Sequence, residues 1–136
     1  MSEKPPVAVD LIWSHALEFG ATAGSNALIV DGDSKAGPSP VQLLAVALAG
    51  CMSIDVVDIL RKGRHPLQAF RMKLNGERAA SPPRRLNSVS IEFIVHGEVP
   101  EAAVDRAIAL SREKYCSVWH SLREDIELTT SFVVHP

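Results

Sequence analysis

With 136 residues, of which 46% are hydrophobic and 22% charged, the chain has the size and balance of one globular domain with a real core. Its net charge of −2, with no block of Lys or Arg, gives no electrostatic footprint for nucleic acid or anionic lipid, so neither is expected as a partner. The N-terminus, Met1-Ser2-Glu3-Lys4-Pro5-Pro6, lacks the apolar core of a signal peptide. The longest apolar stretch, Val41 to Ile54, falls short of the ~20 residues that cross a bilayer, so no membrane is expected either. These features predict a cytoplasmic protein whose cysteines rest reduced.

Residues 1–6 are expected to be flexible. Val7, Val9, Leu11 and Trp13 alternate with Ala8, Asp10 and Ile12, which predicts a strand over 7–13. Leu17-Glu18-Phe19 and Ala27-Leu28-Ile29-Val30 read as two further strands, separated by Gly20 to Asn26. A polar Gly/Pro loop from Asp31 to Pro38 closes this meander.

Ser39-Pro40-Val41-Gln42 is a helix start: Ser39 can cap, Pro40 suits the first helical position and Gln42 completes a capping box. The helix should run to about Lys62 and stop at Gly63 and Pro66. Leu44, Ala47, Leu48, Cys51, Ile54 and Asp58 follow its period and would form an apolar face carrying Cys51. Because 43–49 are apolar all round, this helix should be enclosed.

Phe70, Met72 and Leu74, then Val89, Ile91, Phe93 and Val95, alternate with polar residues as two more strands, joined by an exposed loop from Gly76 to Leu86. Pro100 opens a second helix with Val104, Ala107, Ile108, Ser111 and Tyr115 on its core side. A short helix over 117–122 and a final strand through Ile126, Leu128, Thr130, Phe132 and Val134 complete the chain. The order βββ-α-ββ-αα-β predicts a single α+β domain over 1–136, with a long buried helix on a mainly antiparallel sheet in two layers.

Two cysteines carry the functional question. Cys51 lies deep in an apolar helix, where a small core hydrophobe and a working thiol look alike, although Gly50 leaves room for close approach to the sulfur. Cys116 sits near the start of a short helix, with Lys114 and His120 close in sequence, a setting that favours thiolate. Cys116 and His120 are also four residues apart on one helical face, with Cys51 as a third donor. Without C-x-x-C, H-x-x-x-H or a carboxylate cluster, no metal and no cofactor is expected. His15, His65, His96 and His135 read as ordinary solvated side chains.

Gly37-Pro38-Ser39-Pro40-Val41-Gln42-Leu43-Leu44, leading into Leu48-Ala49-Gly50-Cys51-Met52-Ser53-Ile54-Asp55-Val56-Val57, and then Glu113-Lys114-Tyr115-Cys116-Ser117-Val118 about 65 residues later, resembles the OsmC/Ohr family. The resemblance implies an intertwined homodimer with the long helices buried together. It also implies reduction of organic hydroperoxides in oxidative-stress defence. Cys51 would be the peroxidatic thiol, Cys116 the resolving one, and a lipoyl-type dithiol the reductant. An apolar pocket would select small apolar hydroperoxides.

The sequence departs from that family in one respect. Family peroxidases hold the thiolate with an Arg from the early strands and a Glu after the second Pro, whereas residues 1–60 here contain no Arg and Val41-Gln42 follow Pro40. Glu18 aligns where that Arg would be, and a negative charge near Cys51 would raise its pKa. Arg61, Arg64, Arg112 or His120 could supply the positive charge instead. The alternative function is a non-catalytic dimeric protein that binds a small apolar or lipid-like ligand.

Overall fold

The computed structural model describes residues 4–136, and within them the chain falls into two compact units that meet at Leu44 and Ala45. Of the six terminal residues expected to be flexible, 1–3 lie outside the described residues and 4–6 carry no regular secondary structure.

The first unit is the expected meander: β1 (Val9–His15), β2 (Glu18–Ala23) and β3 (Asn26–Asp31), antiparallel throughout. β2 continues past Phe19 to Ala23, because Gly20, Ala21, Thr22 and Ala23 pair with both neighbours, and the turn falls at Gly24 with φ of 61°. Asp31, the last residue of β3, is buried and organises the following loop. Its carboxylate accepts N–H bonds from Asp33 (2.8 Å), Ala36 (2.9 Å) and Lys35 (3.2 Å). These donors, Ala36 foremost, hold its carboxyl below the ordinary value.

Helix α1 (Pro40–Lys62) begins as expected. Ser39 Oγ accepts from the Gln42 N–H at 3.3 Å while Gln42 Oε1 accepts from the Ser39 N–H at 2.9 Å, so the capping box closes in both directions. The 23-residue helix reaches a mean hydropathy of 2.1 over 18 residues and, unlike the Val41 to Ile54 stretch alone, is long and apolar enough to cross a membrane. One stripe of it, Leu48, Met52, Val56 and Leu60, is buried, whereas Val46 is 62% exposed, so the single chain does not enclose the helix as expected.

That buried stripe is rotated from the face expected from spacing. Leu48 is on it, but Cys51 is half-buried and Ile54 is 70% exposed. In an element apolar on every side, periodicity alone does not choose a face.

The second unit builds its sheet from β4 (Ala69–Arg78), β5 (Leu86–His96) and β6 (Glu127–His135) in the order β4-β5-β6. β4 pairs with β5 antiparallel, but β6 pairs with β5 parallel. The parallel pairing follows from the chain between them, since α2 (Glu101–Leu110) and α3 (Ser117–His120) form the crossover that parallel strands require. Three of the four strand pairs remain antiparallel, as expected.

Inner rows such as Met72-Phe93-Phe132 and Phe70-Val95-Val134 run across the sheet. Phe93 and Val95 are fully buried, as are Val104 and Ala107 of α2. Removing the Phe93 ring would cost about 3–5 kcal/mol.

Candidate functional site

The last turn of α2 does not continue as an α-helix. Residues Ser111–Tyr115 form a π-helical turn, closed by the Cys116 N–H on the Ser111 carbonyl at 2.8 Å. The extra residue in this turn changes which side chains face inward: Ser111 and Cys116 are fully buried, whereas Tyr115, expected in the core, is 50% exposed.

Cys116 then takes the N-cap position of α3, with extended backbone and its sulfur accepting from the Trp119 N–H at 3.3 Å. Opposite it, α1 presents Cys51 and, one turn later, Asp55, both half-buried. The sulfurs of Cys51 and Cys116 and a carboxylate oxygen of Asp55 lie within 4.8 Å of one another. Asp55 is oriented by Ser111, whose hydroxyl donates to Oδ2 at 2.7 Å.

The fold therefore brings together the two cysteines expected to act jointly and adds Asp55 and Ser111, which sequence reasoning left out. Asp55 was detectable, standing four residues after Cys51 on the same side of an otherwise apolar helix. Spacing sets Ser111 on the core side of the second helix but gives it no role.

Burial pushes the Cys116 thiol up to about 11, opposed by the Trp119 N–H and reinforced by neighbouring Cys51 and Asp55. This corrects the expectation of a thiolate at Cys116. The backbone donor is present, but desolvation outweighs it. The cations close in sequence are engaged elsewhere: Lys114 Nζ sits 5.3 Å from the Tyr115 ring centre, and His120 Nε2 lies 3.0 Å from the Arg112 carbonyl oxygen. His120 is thus no partner for a metal shared with Cys116, and the third donor beside the two sulfurs is Asp55.

Glu18 pairs with His15 at 3.6 Å inside the first unit. Gln42 is committed to the helix cap, where it also accepts from Ser34 Oγ at 3.0 Å. A cavity of about 390 Å³ opens beside Asp55 and is further lined by Asp58, Ile59, Lys62 and Tyr115, a more polar lining than expected. Lys62 and Asp58 pair across 2.9 Å there.

Residues 31–131 match the family described as OsmC-like protein. Protein YhfA of Escherichia coli K12 is 40% identical over 125 residues, covering 90% of this chain and 93% of its own length. The crystal structure of a hypothetical protein from Aquifex aeolicus VF5 superposes with a TM-score of 0.89 at 28% identity, over 96% of this chain and 97% of that one. The organic hydroperoxide resistance protein OhrB of Bacillus subtilis shares the fold, with a TM-score of 0.62 at 12% identity over 94% of this chain and 98% of its own.

Proposed function

We propose that this chain, which belongs to the OsmC-like protein family, is a thiol-dependent reductase of organic hydroperoxides in oxidative-stress defence. The observation that carries the reading is the approach of the Cys51 and Cys116 sulfurs to within 4.8 Å in one folded unit. The hydroperoxide-resistance name borne by OhrB of Bacillus subtilis supports it.

Cys51, half-buried beside a carboxylate, is the attacking thiol. Asp55 takes its proton, the thiolate attacks the terminal peroxide oxygen, and the O–O bond breaks. The departing alkoxide recovers the proton from Asp55 and leaves as an alcohol, with Cys51 now a sulfenic acid. Asp55, held by Ser111, supplies a proton acceptor beside Cys51, a different device from the Arg/Glu pair that the sequence lacks. Cys116 then displaces the sulfenic hydroxyl, which leaves as water, and a disulfide forms. The high pKa of Cys116 suits a thiol that keeps its proton until this step. A lipoyl-type dithiol returns two electrons and two protons. We place the protein in the cytosol as a homodimer, acting on small organic hydroperoxides.

The test is a thiol count and intact mass after stoichiometric cumene hydroperoxide or hydrogen peroxide is added to reduced, metal-free protein. Both thiols should disappear quickly with the mass of two hydrogen atoms, faster with the organic peroxide. Cys51→Ser should consume none, and Cys116→Ser should stop after one turnover as sulfenic acid. Thiols that survive for hours would overturn the enzyme reading and favour the non-catalytic, ligand-binding alternative.

A further inference from the structure

We propose that the reduced chain binds a zinc ion through Cys51 Sγ, Cys116 Sγ and a carboxylate oxygen of Asp55. The three donor atoms already lie within 4.8 Å of one another. Zinc sits about 2.3 Å from a thiolate sulfur and about 2.1 Å from a carboxylate oxygen, which puts tetrahedral neighbours roughly 3.5–3.8 Å apart. Closing the site takes shifts of about an ångström, within reach of small side-chain rotations.

Two contacts outside the trio support ligation. The buried Ser111 hydroxyl donates to Asp55 Oδ2 and fixes the carboxylate. The Trp119 N–H donates to Cys116 Sγ, the kind of bond that supports a metal-bound thiolate.

Charge points the same way. Two cysteines and an aspartate are anionic when they ligate, and among the described residues none of the ion pairs reaches Asp55. A divalent cation displaces the thiol protons and offsets the charge of the ligating trio. Two sulfur donors select zinc over magnesium or calcium, and three protein ligands leave a fourth position for water or a small ligand.

Zinc binding competes with the chemistry proposed above, because a metal-bound thiolate pair cannot close a disulfide. The site needs only reduced thiols, so it stands whether or not the protein reduces peroxides.

Reduced, chelator-stripped protein is titrated anaerobically with cobalt(II), without peroxide. One cobalt per chain should bind, with a thiolate-to-cobalt charge-transfer band and the intense visible bands of a tetrahedral site, and zinc should displace it. Cys51→Ser and Cys116→Ser should each remove much of the charge-transfer intensity. Asp55→Asn should weaken binding, and Ser111→Ala should raise the dissociation constant about 10–100-fold with the spectrum unchanged. The last two keep both thiols, so the site remains testable should a cysteine variant fail to fold. Absence of a charge-transfer band at millimolar cobalt, or a band indifferent to Asp55→Asn and Ser111→Ala, would overturn the proposal. Peroxide consumption, read separately in chelator, distinguishes failure of this site from failure of the enzyme reading.

Discussion

Cys116 and Asp55 make opposite demands on their surroundings. Burial keeps the Cys116 thiol protonated, with a pKa of about 11 against an ordinary 9.0. Between those values an unfolded chain has lost the proton and the folded chain retains it, so stability falls as pH rises through this window and is complete below it. The contribution at stake is at most about 2–3 kcal/mol. Urea midpoints of the reduced, metal-free protein should therefore drop between pH 9 and 11 more steeply than those of Cys116→Ala, and parallel curves would count against the buried thiol. Asp55 has a kinetic role in the proposed reaction. Asp55→Asn keeps the shape and removes the proton acceptor, so single-turnover oxidation of Cys51 should slow about 100-fold or more. A rate within a few-fold of the parent would remove Asp55 from the proton path.

At the level of elements, α1 shows both what local chemistry makes readable and what it conceals. Its start was legible because a capping box is written in four adjacent residues. Its end at Lys62 is as expected, but the left-handed residue beyond it is not the neighbouring glycine. The Arg64 N–H bonds to the Arg61 carbonyl and the His65 N–H to the Leu60 carbonyl, a Schellman motif whose left-handed position, φ of 59°, belongs to Arg64 and not to Gly63. Arg64→Gly should therefore stabilise the protein by about 1 kcal/mol and raise the melting temperature by a few degrees, a shift differential scanning calorimetry would read. An unchanged or lower melting temperature would mean that the arginine side chain holds compensating contacts. Element order and α+β class were legible from period and turn residues. The parallel seat of β6 was implicit in the two helices before it. The π-helical turn over 111–115 was not legible, because an i→i−5 bond has no sequence signature, and that turn sets Cys116 and Ser111 inward together.

Each folded unit, taken by itself, leaves apolar surface uncovered. In the first, every residue of β1 is exposed, including Ile12 at 69% and Trp13 at 63%. In the second, Val46 is 62% exposed and Ile54 70%. Surfaces of this kind mark interfaces, and the proposed occupant is a second copy of the chain. Gly50 gives that idea a sharp test. A glycine inside a helix costs about 1 kcal/mol relative to alanine, and a Cβ built at Gly50 meets nothing within 4 Å beyond the helix's own backbone. Nothing described in the lone chain calls for the glycine. If a second copy packs closely on α1 there, Gly50→Ala should weaken association and lower the melting temperature at micromolar protein. If no copy approaches, the same change should stabilise the chain by roughly 1 kcal/mol. Sedimentation of the parent should give twice the 14.7 kDa chain mass, with a melting temperature that climbs with protein concentration. A parent that sediments at one chain mass, together with a more stable Gly50→Ala, would mean that these apolar faces are covered by something other than a second copy.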